Sequence, residues 1–360
     1  MAKPGRFRFG VQRWGTEADA AGAAVISSTA KKEDLAMQFG LFGGARTKRS
    51  TGLEDSQGYE GFIDYVVEAD RLGFRHLFMV EHHFTGQGQV SASMTLLAYL
   101  AARTQRIRLG TAVVVLPWHN PVLVAEQVAT LDLLSGGRVD FGVGKGYRKA
   151  EFDGFCIPMD EASERFDEAM EIIRACWTSE GRFSHRGKRW RYDDIVVEPA
   201  PLQRPHPPVW LAAGSPDSIR RAAREGYNLL LDQLAQTDQI ARRIALFREA
   251  CAEIGRPYDP AMVATARALQ MIHSEGERAE ALATRRRVLS VIADLARDKL
   301  ADRVEDDTAP LLGTPDEIVS RLRELEQAGA TNILLVDPNA SVANLRAFAR
   351  EVLPSFPTAA

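Results

Sequence analysis

Three apolar stretches in the first half of the chain each end abruptly in polar, aromatic or glycine residues. Residues 78–80 run into Glu81-His82-His83, and residues 107–116 run into Pro-Trp-His-Asn-Pro. Residues 138–146 end in alternating glycines. Helical patterns separate the three stretches. Because the carboxyl ends of parallel strands meet at one mouth of an α/β barrel, this order predicts a barrel whose functional residues lie at that mouth.

From residue 38 onward the chain can be divided into eight strand and helix units, which is the count of a closed (β/α)8 TIM barrel. A chain of 360 residues is a usual length for a protein built on one such barrel. Strands that alternate with helices pair in parallel through right-handed crossovers. The predicted strands are 38–42, 75–80, 106–116, 138–143, 208–213, 228–232, 262–272 and 332–337. The predicted helices are 59–72, 93–103, 121–134, 161–177, 218–225, 237–254, a segment from 276, and 316–328.

Two insertions and an N-terminal extension interrupt this pattern. After strand 4, residues 182–208 carry a hairpin pattern and then five prolines. After strand 7, residues 297–313 are rich in charge and poor in apolar side chains, which predicts either a lid over the mouth or a solvated loop. Residues 1–36 form an extension, in which residues 6–12 could be an extra strand covering the barrel floor or a tail, and residues 37–360 form the barrel domain.

Composition argues against several functional classes. A net charge of −3 gives no electrostatic reason to expect nucleic acid or an anionic membrane as a partner. No apolar run reaches the roughly 18 residues needed to cross a bilayer, and no signal-peptide core follows the basic N-terminus. The three cysteines are widely spaced and odd in number, which suits a reducing compartment. We therefore expect a soluble, cytoplasmic protein.

The adjacent histidines at the first strand end lack the spacing of a metal site. Successive side chains of a strand point to opposite faces, so His82 and His83 are expected to diverge, whereas two ligands on one face need an intervening residue. We therefore expect no metal there. One inward histidine at the mouth is suited to proton transfer or to stabilising charge. The alternative is a histidine that only completes a hydrogen-bond network.

Two other segments could hold an anion, although local structure also explains them. The Gly-Val-Gly-Lys-Gly loop at 142–146 fails the dinucleotide motif because Tyr147 replaces the third glycine, and it lacks the Ser/Thr of a Walker loop. Its glycines either let a flat ligand lie against the backbone or form a sharp turn. Gly-Ser-Pro-Asp-Ser at 214–218 opens a helix whose free N–H groups could bind phosphate, but ordinary capping explains it equally well.

Three motifs carry a specific resemblance. Val-Glu-His-His-Phe-Thr at 80–85 ends the second predicted strand, and Leu-Gly-Thr-Ala-Val-Val-Val-Leu-Pro at 109–117, with His119 and Pro121, belongs to the third. Leu-Asp-Leu-Leu-Ser-Gly-Gly-Arg at 131–138 leads into the Gly-Lys-Gly loop after the fourth. In this order they resemble the strand ends of the bacterial luciferase-like flavin-dependent monooxygenase superfamily, from about residue 37 to the C-terminus.

The resemblance implies a monooxygenase that uses dioxygen and reduced FMN, which a separate flavin reductase supplies. It implies that His82 is catalytic and lies near the flavin, and that the peptide Ala112–Val113 is a cis bond packed against the flavin ring. It places the phosphate at Ser215 and Ser218, with two cationic partners. The expected cofactor contacts are Ala112, Val113, Gly144, Lys145, Gly146, Tyr147, Arg165, Gly214, Ser215 and Ser218, the cations being Lys145 and Arg165.

The substrate is expected to be a small, largely apolar organic molecule that contacts Trp118 and His119, with Tyr147 as a further candidate. Trp118 could instead simply cover the barrel. Gly144 stands where the catalytic subunit of luciferase has a reactive cysteine, so light emission is not expected. The Glu-His-His run, which the non-catalytic luciferase subunit lacks, favours an active enzyme. The alternatives are a deazaflavin-dependent oxidoreductase of the same superfamily, a non-catalytic flavin-binding subunit and a metal-dependent hydrolase barrel.

Helices 93–103 and 121–134 carry more apolar residues than a single barrel-facing side requires. We expect the surplus to form the interface of a homodimer. The apolar residues concerned are Leu96, Leu97, Tyr99, Leu100, Val122, Val124, Val128 and Leu131.

Overall fold

The computed structural model describes residues 37–47, 54–296 and 309–356. The extension predicted at 1–36, and residues 297–308 of the predicted lid, lie outside the described residues. None of the described helices combines the length and the apolar character needed to cross a membrane.

Parallel strands close into a barrel, which confirms the predicted (β/α)8 fold. Its strands are β1 (Gln38–Gly43), β2 (His76–Met79), β3 (Arg108–Thr111), β4 (Val139–Gly144), β5 (Val209–Ala212), β6 (Asn228–Leu231), β7 (Val263–Met271) and β8 (Asn332–Val336). They follow one another around the ring in chain order, and β8 pairs with both β7 and β1, so the ring is closed. All carboxyl ends therefore lie at one mouth.

Helices cover the outside of this ring. They are α1 (Asp55–Leu72), α2 (Ser93–Arg103), α3 (Pro121–Ser135), α4 (Lys149–Gly154), α5 (Ala162–Thr178), α6 (Pro216–Arg224), α7 (Thr237–Glu253), α8 (Glu275–Ala296), α9 (Pro315–Gln327) and α10 (Val342–Glu351). Local signals set many of the ends. At α3, the Asn120 side chain accepts from the N–H groups of Val122 and Leu123, and Gly136 ends the helix with φ +69°. The sequence did not predict α4 or α10.

The third predicted strand, 106–116, is broken in the structure. β3 ends at Thr111, the peptide Ala112–Val113 is cis, and Val114–Val115 pairs separately with β4. The Thr111 hydroxyl donates to the carbonyl of Gly142 at 2.7 Å and accepts from its N–H at 2.9 Å. A side chain thus replaces the main-chain ladder at this point, which is why a continuous apolar run does not form one strand.

A buried polar cluster lies at the amino end of the barrel. Asp140 Oδ2 lies 3.0 Å from His76 Nδ1, and Arg108 Nη2 donates to Asp140 Oδ1 at 2.9 Å. Burial acts to raise the pKa of Asp140, but the hydrogen bond from His76 and the charges of His76 and Arg108 outweigh it and lower this pKa to about 2. Gln203 accepts from Arg108 at 3.2 Å, so the proline-rich insertion is attached to the same cluster.

Both insertions contain regular structure. The strands Phe183–Arg186 and Arg191–Ile195 form the predicted hairpin after strand 4. Glu168 of α5 holds the turn, since its carboxylate accepts from the backbone N–H groups of Arg189 and Trp190. The end of the insertion predicted as a loop at 297–313 is a short strand, Leu311–Gly313, which pairs with β7. Its leucines are buried, and this burial favours the strand over a solvated loop.

Most of the apolar residues predicted to form a dimer interface on the second and third helices are buried within the chain. Of the eight residues named above, six are buried: Leu96, Leu97, Leu100, Val124, Val128 and Leu131. For the residues of α3, the cause is that α5 covers one side of this helix, and Trp177 of α5 donates to the Ala125 carbonyl at 3.0 Å. A smaller exposed set remains on these helices, between 45% and 62% accessible: Tyr99, Leu123, Leu133 and Leu134.

Candidate active site

Glu81 joins two histidines just beyond β2. Its Oε1 lies 3.0 Å from His83 Nε2 and 2.7 Å from His119 Nε2. Burial acts to raise the pKa of Glu81, but the hydrogen bonds from His119 and His83 outweigh burial and lower it. Glu81 is therefore a buried anion that ties the loop after β2 to the loop after β3. His119, a predicted substrate contact, keeps a third of its side chain exposed beside this carboxylate (33%).

A second buried carboxylate, Glu151 of α4, holds His82. Glu151 Oε1 lies 3.0 Å from His82 Nδ1 and accepts the backbone N–H of His83 at 2.9 Å. Its side chain is 2% exposed. The sequence did not point to this residue, because α4 has only six residues. Nothing local in the sequence separates Glu151 from Asp153, whose side chain is 60% exposed in the same helix.

The two adjacent histidines lie in a loop, so the strand argument used to separate them does not apply. β2 ends at Met79, and the N–H of His82 donates to the Val90 carbonyl at 3.1 Å. The rings nevertheless have different surroundings. His82 meets Tyr147 edge-on with 6.5 Å between ring centroids, whereas His83 lies 4.8 Å from the ring of Phe155. The loop path, and not strand alternation, produces this difference.

Aromatic side chains pack around His83 and form a wall, which we define as Phe84, Trp118, Phe152 and Phe155. Trp118 lies 5.4 Å from both Phe152 and Phe155, and Phe84 lies 4.9 Å from Phe155. The indole N–H of Trp118 is buried and has no acceptor among the described residues. Since buried donors are nearly always paired, a ligand with an acceptor atom is a natural partner for this group.

The glycines after β3 and β4 make room for the chain itself. A Cβ at Gly144 would lie 2.6 Å from Val113 Cγ2, and one at Gly142 would lie 1.7 Å from the Thr111 carbonyl oxygen. A Cβ at Gly146 would lie 2.8 Å from Val115, and this glycine has φ +78°. Close packing between neighbouring strand ends, and a turn at Gly146, therefore account for these glycines without a ligand.

Two cationic side chains, Lys145 after β4 and Arg221 of α6, pack on the same aromatic ring. Lys145 Nζ donates to Ser163 Oγ at 2.7 Å and contacts no carboxylate in the described part of the chain. It lies 5.9 Å from the centre of the Phe166 ring, and the guanidinium of Arg221 lies 5.1 Å from the same ring centre. Arg221 belongs to α6 and pairs with Asp167 at 2.5 Å. The sequence did not identify Arg221, because its neighbour Lys145 comes from a different strand end.

The residues predicted to bind the phosphate do not all lie together. Ser215 caps α6, with its Oγ 2.9 Å from Ser218 Oγ, and Gly214 precedes this pair. Arg165, the second predicted cation, pairs with Glu161 at 2.8 Å on the side of α5 that faces the hairpin, where Glu161 also binds Arg189. Lys145 and Arg221 thus share the Phe166 ring, whereas Arg165 is occupied by Glu161. Lys145, which has no carboxylate partner among the described residues, and the two hydroxyls at the N-terminus of α6 are donors whose chemistry fits a phosphate.

Within residues 37–47, 54–296 and 309–356, no three or more His, Cys, Asp or Glu side chains are grouped so that they could hold a metal ion.

Comparison with known proteins adds the family context. The family model of luciferase-like monooxygenases matches residues 37–332. The oxygenase component of the flavin-dependent trigonelline monooxygenase of Acinetobacter baylyi is 31% identical over 219 residues, which is 60% of each chain. Limonene 1,2-monooxygenase of Rhodococcus erythropolis is 27% identical over 315 residues, 82% of this chain and 80% of the relative.

Solved structures show the same architecture. The monooxygenase RslO1 from Streptomyces bottropensis superposes with a TM-score of 0.77 at 28% identity, covering 89% of this chain and all of that one. Among the curated relatives of strongest match, including the trigonelline enzyme, the chain spans only 49–60% of their length.

Proposed function

The chain belongs to the luciferase-like monooxygenase family, and from this premise we propose that it is the oxygenase component of a two-component, flavin-dependent monooxygenase. It takes reduced FMN from a separate flavin reductase in the cytoplasm and uses dioxygen to oxygenate a small organic substrate with a largely apolar body. The observation that carries the proposal is the His82–Glu151 pair, a histidine held by a buried carboxylate at the barrel mouth. Lys145 and Ser215, which follow β4 and β5, lie at the same mouth and support the phosphate part of the proposal.

In this proposal, the phosphate of FMN is held by Lys145, Arg221, Ser215 and Ser218, the group whose chemistry fits it. Ala112 and Val113 pack against the inner cluster of the barrel and are our candidates for contact with the flavin ring. Reduced FMN supplies the electrons that activate dioxygen. The protein supplies binding, orientation and a protected site.

His82 holds or moves a proton at Nε2. Because the carboxylate of Glu151 accepts from Nδ1, a neutral ring carries its proton on Nδ1 and leaves Nε2 able to accept another. The aromatic wall limits access of water beside His83, and Trp118, His119 and Tyr147 are the proposed substrate contacts. This arrangement suits an acid/base step at the mouth.

Glu151→Gln is expected to lower turnover by roughly 10- to 100-fold, the range seen when a partner that orients a functional histidine is lost. Glutamine retains an acceptor for the His83 N–H, but its amide can also turn an N–H group towards Nδ1, so His82 is no longer held in one orientation and one tautomer. The measurement is the rate of substrate-dependent oxygen uptake. Asp153→Asn, in the exposed part of the same helix, is the matched control, and turnover in Glu151→Gln equal to that of the control would contradict this role.

Oxygen uptake tests the function itself. Purified protein is mixed with chemically reduced FMN in air-saturated buffer and screened against aldehydes, ketones and aromatic compounds. Uptake that depends on one substrate class supports the proposal. FMN binding without uptake for any substrate indicates a non-catalytic flavin-binding subunit. Turnover that needs no air, together with the absorbance and mass of a deazaflavin, indicates the alternative oxidoreductase.

We also propose a homodimer that forms through the exposed apolar set on α2 and α3. Leu123 and Leu134 lie on one face of α3, about three turns apart, and Tyr99 of α2 is also exposed. Light scattering should give twice the chain mass of 39.7 kDa, and Leu123→Glu should shift the protein towards the monomer. A single-chain mass for the unaltered protein at micromolar concentration would rule out this interface.

A further inference from the structure

Arg46, just after β1 at the mouth, carries a half-buried guanidinium without a partner. Among the residues that the structure describes, neither a carboxylate nor a hydrogen-bond acceptor contacts this group. Burial lowers the pKa of Arg46, and no neighbouring acid offsets it. The guanidinium stays protonated at neutral pH all the same. Buried charge is costly unless it is paired, so an uncompensated arginine at a mouth points to an anionic ligand.

The backbone of Arg46 is fixed from two sides. It forms an antiparallel bridge with Gln89, and the N–H of Thr47 donates to the Gly88 carbonyl at 2.8 Å. On the other side, a Cβ at Gly58 of α1 would lie 1.9 Å from the Arg46 carbonyl oxygen, so the helix packs directly on this peptide. The backbone of Arg46 is therefore held in place by its neighbours, which is a requirement for a binding residue.

Arg148 adds a second guanidinium beside Gln89. Its Nη1 donates to Gln89 Oε1 at 3.4 Å, and its guanidinium lies 5.5 Å from the centre of the Tyr147 ring. No carboxylate pairs with it in the described part of the chain. Directly opposed residues of an antiparallel bridge have side chains on the same face, so the side chains of Arg46 and Gln89 lie next to each other. Two arginines without acids thus flank one glutamine.

This pair lies close to His82. Tyr147 contacts both sides, since its ring meets Arg148 and also meets His82 edge-on at 6.5 Å. Gln89 precedes Val90, whose carbonyl accepts from the His82 N–H. Arg148 follows β4 three residues after Lys145, but it contacts Gln89 and Tyr147, whereas Lys145 donates to Ser163. Arg46 and Arg148 therefore form a cationic group whose contacts differ from those of Lys145, and His82 lies next to this group through Tyr147.

We propose that Arg46 and Arg148 bind the carboxylate of the substrate, and that the apolar body of the substrate packs at the mouth beside Tyr147 and His82. The inference rests on the proposed function and gives the substrate a class, an organic acid with an apolar body. Planar guanidinium groups bind carboxylates through paired hydrogen bonds. Such charge-assisted contacts change affinity by about 10- to 100-fold.

Calorimetric titration with paired probes tests the proposal. Benzoate and hexanoate carry the carboxylate, and benzamide and hexanamide are their neutral counterparts. In the unaltered protein, with and without FMN, at least one acid should bind at least about 10-fold more tightly than its amide. Arg46→Gln and Arg148→Gln should each remove most of this preference. Arg71→Gln is the control, because Arg71 lies at the far end of α1 with its side chain 73% exposed.

Two results would overturn the assignment. One is equal binding of acids and amides across both pairs, or a preference that survives in both arginine variants. The other is a loss of FMN affinity in these variants together with competition between inorganic phosphate and the acids, which would make the two arginines part of the FMN-binding site. Failure of the proposed function looks different. In that case the acid preference would persist and depend on Arg46, while neither FMN binding nor oxygen uptake would be detected.

Discussion

Replacing His82 with alanine is expected to lower turnover by about 10²- to 10⁴-fold, the usual loss when a positioned acid/base group is removed. The fold and most of the FMN affinity should remain, because the proposed phosphate donors come from other strand ends. Among the side chains that the structure describes, only that of Glu151 is hydrogen-bonded to the His82 ring. Substrate-dependent oxygen uptake, FMN titration and thermal melting measure the three properties separately.

His83→Ala is the matched comparison for this experiment. The His83 ring bonds to Glu81 and packs within the aromatic wall, so its loss should reduce turnover less and stability more. Turnover near that of the unaltered protein in His82→Ala, or a greater loss of catalysis in His83→Ala, would reject the assignment of His82.

Asp140→Asn should destabilise the barrel by about 3–5 kcal/mol, the range for removing one partner of a buried charged cluster. The substitution keeps the shape of the side chain but leaves Arg108 and His76 without their anion in a buried site. Urea denaturation gives the free energy of unfolding. Asp238→Asn is the control, since the Asp238 side chain is 64% exposed in its pair with Arg242 and should matter by less than about 1 kcal/mol. A loss at Asp140 no larger than this would contradict the role of the cluster.

Asp140 also contributes to the pH dependence of the unfolding free energy in acid. Its pKa in the folded protein, about 2, lies below the ordinary 3.8, and this difference corresponds to about 2 kcal/mol of stability. A lowered carboxyl pKa stabilises the fold at pH values above the unfolded value. This contribution is therefore complete above about pH 4 and is lost as the pH falls towards 2. The unfolding free energy of Asp140→Asn should lack this part of the pH dependence, and identical acid profiles for the two proteins would rule it out.

Much of the fold could be predicted because its signals are local. The ends of α3 depend on Asn120, Pro121 and Gly136, whose hydrogen bonds reach only the next few residues. Alternation of strands and helices then implies parallel pairing, and parallel pairing puts every carboxyl end at one mouth. The positions of Glu81, Lys145 and Ser215 at that mouth follow from the same reasoning. The prediction of one continuous third strand failed, because the Thr111 hydroxyl bonds to the Gly142 backbone where β3 ends.

The contacts that define the site could not be predicted in this way. His82 meets a carboxylate 69 residues away, and Asp140 meets His76 across 64 residues. The sequence pointed to Arg165 and not to Arg221, but Arg165 pairs with Glu161 four residues earlier while Arg221 packs on the same Phe166 ring as Lys145. The sequence alone therefore determined the barrel and the strand ends that carry the polar residues, since periodicity and capping act over a few residues. Only the tertiary structure decided which of those residues meet, because a hydrogen bond requires two loops to follow paths that agree within a few tenths of an ångström.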